Sequence, residues 1–456
     1  MTENEVTTLS DSTQPSGSPA STGKLVRAIG FWGLVMMCIN GVVGSGVFLL
    51  PSESFKLLGP FSLWAPLLFS IPVFILVLCF AEASSHFSEP GGAYLYARTA
   101  FGDFIGFETG WMNSLARITS LAALSNGFVV ALARLFPEVG SGSGRTIIIV
   151  GSLLIIAAIH LCGIRYGAAS IFLFTWGKML PLIAFIIVAL VAFRTNPFPA
   201  SMQLPGPGTD WSEAALLLLF AYAGFENLGV PAGEFKNPKR DVPFALLTGI
   251  VAIAVAYSLA QLAAMSALPD LSSTSTPIAD AAAVLMGTAG ATIITVGAVI
   301  SMLGTNSGTM LEGSRMLYAL SLGRPRLAVL SKVHDRFKTP YVAILVFLVI
   351  AIPLALAGSF AKLAALSAVA RMTTYLFTCA AVPRLRKLSE GFQVPGGLLV
   401  PVLGTLISIV LFATLKQRHL IAAAIALTVG ALVWLASRPS GPIPSADEPS
   451  STGPVA

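Results

Sequence analysis

The chain has 456 residues, of which 55% are hydrophobic and only 11% charged, and its formal net charge at pH 7 is +6. Soluble domains carry about 25% charged residues, so this composition excludes a soluble fold and predicts an all-α protein that crosses the lipid bilayer many times. The basic residues lie in short loops between apolar runs, which indicates membrane topology and excludes nucleic acid as a partner. The four cysteines lie in apolar segments without metal-ligand spacing, so neither disulfides nor a metal site are expected.

Both chain ends differ in composition from the segment between them. Residues 1–23 and 439–456 are rich in Ser, Thr, Pro and Gly and are predicted to be disordered cytoplasmic termini. Residues 24–438 form one membrane domain, and 272–288, too polar at its start to span, is predicted as a short external helix. About twelve spans are predicted: 28–55, 61–84, 101–135, 146–163, 170–193, 212–234, 241–267, 290–320, 340–358, 361–383, 398–415 and 419–437.

Orientation follows from the distribution of Lys and Arg. With the N-terminus inside, 17 of these residues fall on the inner side, 7 on the outer side and 3 within spans. Because inner loops carry the excess of basic residues, we expect a multi-pass protein of the cell (plasma) membrane with both termini in the cytoplasm.

Two of the predicted spans are interrupted. Span one contains the stretch GVVGSG at 41–46, where glycine lowers helix propensity by roughly 1 kcal/mol per residue relative to alanine. Span six, five spans later, crosses in the opposite sense and is interrupted as well. Paired breaks at equivalent places predict a transporter with inverted repeats, at about 28–193 and 212–383, followed by two helices at about 398–437. The interrupting residues of span six are Gly224, Glu226, Asn227, Gly229 and Pro231.

A broken helix supplies two kinds of backbone group. The amides at the start of one half-helix suit a carboxylate, and the carbonyls at the end of the other suit an ammonium or a cation. One zwitterion would satisfy both. For span one alone, close packing through small residues is an equally good interpretation.

Four segments in this order resemble the amino acid–polyamine–organocation (APC) superfamily of permeases. The resemblance extends over about residues 25–435 and implies twelve spans, a LeuT-like five-plus-five inverted repeat with broken helices 1 and 6, and secondary active transport of amino acids or amines. The segments are GVVGSGVFLLP (41–51), EPGGAYLYARTAFGDFIGFETGW (89–111), AYAGFENLGVPAGEFKNPKRDVP (221–243) and LEGSRMLYALSLGRP (311–325).

The resemblance also implies which groups bind the substrate. The residues that match the carboxylate binders are Ser45, Gly46 and Val47, with Gly44 beside them, and the carbonyls that match the amine acceptors are those of Val42, Phe220 and Ala223, with Ala221 beside them. Phe220 stands where related antiporters of basic amino acids carry an aromatic gate.

Two positions depart from those antiporters. Arg117 falls at a side-chain-pocket position that is small and neutral in them, and Gly308 stands where they carry an aromatic residue. A buried Arg repels a cationic substrate unless Glu226 or another acid neutralises it. A neutral amino acid is therefore favoured, and an acidic one stays open.

Charged residues inside spans are predicted to be functional. The resemblance places Lys178 in the region of a sodium site, either as a fixed replacement for the ion or as a proton carrier; a lysine that snorkels to the interface is the alternative. Glu226 is predicted to carry protons, to cap freed amides, or both. Arg117 and Arg371 each contact either the substrate or a structural Glu. Glu312 and Arg315, spaced i and i+3, are predicted to form an ion pair on the face of one helix.

The predicted function is that of a sodium-independent amino acid transporter that uses proton-coupled symport or exchange, as a monomer or homodimer. No cofactor and no catalytic residue are predicted, because the sequence lacks a nucleotide-binding loop and the motifs of intramembrane hydrolases. The alternative is an amino acid sensor that has a transporter fold and does not transport.

Overall fold

The computed structural model describes residues 29–88, 91–162, 167–192, 205–206, 208–230, 232, 235–268, 270–337, 339–388 and 390–438, with the backbone alone for 167–172. Both predicted disordered termini, and Pro231 of the second break, lie outside these residues.

The described chain is built from fourteen α-helices joined by short turns. Their bounds are α1 Phe31–Val42, α2 Gly46–Leu58, α3 Ala65–Ser85, α4 Ala93–Phe101, α5 Asp103–Ala133, α6 Gly142–Leu161, α7 Gly167–Ala192, α8 Trp211–Tyr222, α9 Pro238–Ala267, α10 Pro277–Ser321, α11 Tyr341–Ala357, α12 Phe360–Leu388, α13 Leu399–Ala413 and α14 Gln417–Ala436.

Twelve of the predicted spans have a helical counterpart. Eight helices are long and apolar enough to cross a bilayer alone, α1 and α2 form one span bent by 40°, and three shorter apolar helices are α8, α11 and α13. Apart from one bridge between Ile29 and Phe235, the described residues form helices, turns and bends. The predicted all-α polytopic fold is confirmed.

The helices fall into a central and a peripheral set. The most apolar stretch of α5 is 83% buried, whereas that of α14 is only 17% buried. α5 packs against α10 and α12 at the centre, and α3 packs against α9. On peripheral α6, exposed side chains such as Ile147, Leu154 and Ile155 are apolar and suit contact with lipid.

Span six is shorter than the sequence predicts. The prediction covers 212–234, but helix α8 ends at Tyr222, and among the described residues up to 230 a 3₁₀ turn over Phe225–Asn227 follows. Ala223 is extended (φ −73°, ψ 148°), and Gly224 has φ +130°, which a helix does not accommodate. The break is therefore confirmed. A regular second half-helix is not found among the described residues that follow it.

The polar stretch before span eight contains a short helix, as the sequence predicts. Within the range of α10, residues 277–286 are helical up to Gly287, whose φ of +69° and ψ of −169° are not helical and separate this helix from the rest of α10. A glycine adopts this conformation at little cost, so the chain changes direction there without a loop.

Candidate functional site

The first break lies in the centre of the helix bundle. α1 ends at Val42, Val43 is extended (φ −75°, ψ 91°), and α2 begins at Gly46. The first amides of a helix have no acceptor within it, so the start of α2 offers N–H groups to a ligand. The Ser45 hydroxyl is also buried and has no hydrogen-bond partner among the described residues.

Glycines at this break also allow close packing. A Cβ at Gly46 would lie 3.0 Å from the Cα of Ala221, and a Cβ at Gly44 would lie 3.0 Å from the side chain of Leu124. The packing interpretation of the first break is therefore correct for these two glycines. It does not exclude a binding role, because Gly44, Ser45 and Gly46 all line a cavity.

The second break touches the first. A Cβ at Gly224 would lie 2.3 Å from the carbonyl oxygen of Gly41, well inside van der Waals contact. The Tyr257 hydroxyl lies within hydrogen-bond distance of the carbonyl oxygens of Val42 (3.2 Å) and Ala221 (3.0 Å). The Val42 carbonyl, predicted to accept the substrate amine, therefore already has a donor beside it.

A small cavity lies where the two breaks meet. Seven of the predicted substrate residues line it, namely Val42, Gly44, Ser45, Gly46, Arg117, Phe220 and Ala223. Arg371, predicted to contact either the substrate or a structural Glu, also lines it. The lining residues that were not predicted to bind the substrate are Gly41, Ser120, Leu124, Thr305 and Thr309.

Three predicted residues lie elsewhere. Val47 and Ala221 line a neighbouring small cavity, which has Gly46 in common with the first. Gly308 lines neither of these two cavities, and a Cβ there would meet nothing within 4 Å. Thr309 lines the central cavity instead, and its hydroxyl is buried without a partner among the described residues. The spacing of Thr309 from Thr305, i and i+4, would have indicated a shared helix face.

Lys178 contacts the first break directly. Its Nζ donates to the carbonyl oxygens of Asn40 (3.0 Å) and Val43 (2.6 Å) and lies 3.2 Å from Thr305 Oγ1. The Lys178 side chain is buried, which excludes snorkelling. Its ammonium lies between the end of α1, α10 and its own helix, α7. The oxygen atoms around it are of the kind that bind a hard cation.

Glu226 is fully enclosed, with 0% of its side chain exposed. It accepts hydrogen bonds from the Gly224 amide (2.8 Å) and Asn227 Nδ2 (3.0 Å), so it caps the amide freed at its own break. It also forms an ion pair with Arg371 and lies 3.4 Å from the Tyr375 hydroxyl.

Arg117 is shared by two carboxylates. Its Nη1 lies 3.1 Å from Glu312 Oε2, and its Nη2 lies 3.5 Å from Glu226 Oε1. The structure adds a partner that the sequence did not predict: Glu312 forms an ion pair with Arg117, on a different helix, and the positive charge of Arg315 also acts on its carboxylate. The sequence gives no sign of this contact because 195 positions separate the two residues.

The charges around the cavity balance. Two guanidinium groups, of Arg117 and Arg371, face two carboxylates, of Glu226 and Glu312. Buried ions are stable when they are paired in this way. The cavity therefore presents no net charge from these four groups, while the start of α2 and the Ser45 hydroxyl remain available to a carboxylate.

An aromatic pair adjoins the cavity. The ring of Phe220, the predicted gate, packs edge to face on Phe360 at the start of α12, with centroids 6.0 Å apart. No group of three or more metal-ligating side chains occurs in the part of the chain that the structure describes.

Known proteins show clear similarity to the chain. A family model described as amino acid permease matches residues 29–434. The serine/threonine exchanger SteT of Bacillus subtilis is 29% identical over 391 residues, which cover 83% of this chain and 89% of SteT. The uncharacterized transporters Rv1979c of Mycobacterium tuberculosis and Mb2001c of Mycobacterium bovis are each 29% identical over 385 residues, 78% of this chain and 80% of each relative.

Proposed function

Because this chain belongs to the amino acid permease family, we propose that it exchanges small neutral amino acids across the membrane without sodium. The observation that carries this proposal is the cavity at the meeting of the two breaks, with an unpartnered Ser45 hydroxyl and the free amides at the start of α2. The substrate carboxylate binds there, and alternating access brings the site to each side of the membrane in turn.

The lining residues favour a small substrate. Glycines, alanine, serines and threonines form much of the cavity wall, and Phe220 with Leu124 limits its length. The Thr309 hydroxyl is unpartnered among the described residues and suits a polar substrate side chain. SteT is named as a serine/threonine exchanger, which agrees with this chemistry.

Charge balance argues against a charged substrate. The carboxylates of Glu226 and Glu312 neutralise Arg117 and Arg371, so neither guanidinium demands an acidic side chain. A cationic side chain would meet two guanidinium groups at the cavity wall. Neutral amino acids are thus preferred over acidic ones, and acidic over cationic ones.

Lys178 supports sodium independence. Its ammonium already binds the carbonyl oxygens of Asn40 and Val43 that a sodium ion would need. Exchange is preferred over proton symport, because Glu226 is saturated by donors and the named relative is an exchanger. The sensor hypothesis has no support from these relatives, which are named as an exchanger or as transporters.

The test is exchange in proteoliposomes loaded with unlabelled serine and supplied with labelled serine outside. Ser45→Ala is expected to weaken apparent affinity by about fivefold or more, since a hydrogen bond to a charged group contributes about 1.5–3 kcal/mol. Ser52→Ala is the matched control: Ser52 is also buried and unpartnered on α2, but it does not line the cavity. Equal affinities of both variants and the wild type would contradict the proposed site, and no exchange of any amino acid would contradict the function.

A further inference from the structure

The two acids that share Arg117 differ in how they are held. Glu226 has 0% of its side chain exposed and accepts from a backbone amide, an asparagine amide and two arginines. The side chain of Glu312 is 23% exposed, and its ion pair reaches across to Arg117 on α5. Protonating Glu226 would leave several donors without an acceptor in a dry site, whereas protonating Glu312 removes its ion pair with Arg117 at a partly exposed position.

Arg117 connects Glu312 to the substrate cavity. The guanidinium lines the cavity, and its Nε is buried without a partner among the described residues. Glu312 is absent from the cavity wall, so its influence on a ligand passes through Arg117. Arg117 lies 3.1 Å from Glu312 and 3.5 Å from Glu226. Glu312 is therefore the closer of its two carboxylate partners.

Other charged and titratable groups surround this pair. Arg315 lies one turn along α10 from Glu312 and contributes positive charge beside it. Arg371 and Tyr375 on α12 face Glu226 beyond Arg117. His160 on α6 contacts Ser307 (3.0 Å), and Lys178 on α7 contacts Thr305, both on α10 before Glu312. Among these groups, Arg117 is the cation that both pairs with Glu312 and lines the cavity.

From this arrangement we infer that Glu312 is a proton-binding positioning residue: when it takes up a proton, it releases Arg117 to attract the substrate carboxylate. This inference rests on the proposed function of the cavity and adds a residue that controls it. With Glu312 ionised, two carboxylates compete for one guanidinium. With Glu312 neutral, Arg117 keeps only its longer contact to Glu226, and the positive potential at the cavity rises.

The direction of the effect follows. Substrate binding becomes tighter as the pH falls, because protonation of Glu312 removes a negative charge that competes with the substrate carboxylate. Coupling free energies between two sites are typically 1–3 kcal/mol, so we expect the apparent affinity to change by about fivefold or more between about pH 8 and about pH 5. The proton is a modulator here and need not cross the membrane with the substrate.

The test measures the pH profile of serine binding to purified protein by ligand-induced thermal shift, and of serine exchange in proteoliposomes. Glu312→Gln is expected to bind at all pH values as tightly as the wild type does at low pH, with a flat profile. Glu53→Gln is the matched control, since Glu53 is a partly exposed carboxylate paired with one cation, Lys56, on α2. This control is expected to keep the wild-type profile.

Several outcomes would overturn the inference. A wild type whose affinity does not change with pH would do so, and so would a Glu312→Gln variant that keeps the wild-type slope. If Glu312→Gln does not fold, the pH profile of Glu312→Asp is measured instead. A profile of the same shape that is shifted along the pH axis supports the inference, and an unchanged profile contradicts it. Binding and exchange of serine that persist in any of these cases leave the proposed function standing, whereas no response of the wild type to any amino acid would reject the function itself.

Discussion

The carbonyl oxygen of Gly41 lies so close to Gly224 that a Cβ at Gly224 would be 2.3 Å from it. This contact joins two helix breaks that are more than 180 residues apart in the chain. Because Gly224 also has φ +130°, both its conformation and its surroundings require glycine.

Replacing Gly224 by Ala is therefore expected to abolish exchange. The added methyl group would push the first break away from the second and distort the cavity between them. Gly206→Ala is the control, because a Cβ there meets nothing within 4 Å. Exchange rates in proteoliposomes check the prediction, with detergent-solubilised yield as a measure of folding; a Gly224→Ala variant with wild-type exchange would refute it.

The Lys178 ammonium is predicted to replace sodium. Lys178→Met is expected to abolish exchange and to lower thermal stability, because it removes the ammonium donor from the carbonyl oxygens of Asn40 and Val43, which keep only hydroxyl donors from Thr305 and Ser301. A hydrogen bond to a charged group contributes about 1.5–3 kcal/mol. Wild-type uptake is measured with sodium or choline as the external cation. Stimulation of the wild type by sodium would count against the prediction.

The Glu226–Arg371 pair is expected to contribute more to the stability of the fold than to the pH dependence of substrate binding. Arg371→Met leaves Glu226 with less compensation in a dry site and is predicted to destabilise the protein by about 3–5 kcal/mol. The double variant Arg371→Met, Glu226→Gln is expected to recover part of this loss, because no isolated ion remains. Thermal unfolding in detergent measures the stability of the single and the double variants. A double variant that loses more stability than the two single variants together would contradict the prediction.

Charged groups also link the start of α8 to the start of α14. Asp210 pairs with Lys416, and Glu213 pairs with Arg418 at 2.7 Å and with His419 at 3.4 Å. Burial alone would raise the pKa of Asp210, but the hydrogen bonds from Lys416 and from the Glu213 amide outweigh it and hold this pKa below its ordinary value.

A lowered pKa means that the unfolded chain binds the proton more readily than the folded one. The stabilisation from Asp210 is thus complete above the ordinary aspartate pKa of about 3.9 and is lost as the pH falls through the lower folded value. Wild type and Asp210→Asn are expected to differ in thermal stability at neutral pH and to converge below about pH 4. Glu138→Gln, in the exposed turn before α6, is the control; a difference between wild type and Asp210→Asn that does not shrink on acidification would contradict the assignment.

Sequence reasoning predicted the site best where the chemistry is carried by the backbone. The glycines of 41–46 and Gly224 indicated the breaks because glycine is disfavoured in a helix interior, and the structure places both breaks at one cavity. The position of Lys178 beside the first break followed from the family resemblance, and its contacts agree with it.

Side-chain partners were harder to predict. The ion pair of Glu312 with Arg117 was not predicted, because it depends on how α5 and α10 pack, whereas a sequence shows only i and i+3 neighbours such as Glu312 and Arg315. Gly308 was assigned to the site, whereas the next residue, Thr309, lines the cavity, because neighbouring helix positions point about 100° apart. The break after Tyr222 was predicted, because Gly224 interrupts the apolar residues of span six.

The balance of two guanidinium groups and two carboxylates at the cavity has an electrical consequence. A membrane potential acts on moving charge with about 2.3 kcal/mol per elementary charge per 100 mV. A zwitterion that enters one side of a balanced site, and another that leaves by the opposite side, carry no net charge. The membrane potential therefore does not drive such an exchange in either direction. The net flow of each amino acid depends on its own concentrations on the two sides.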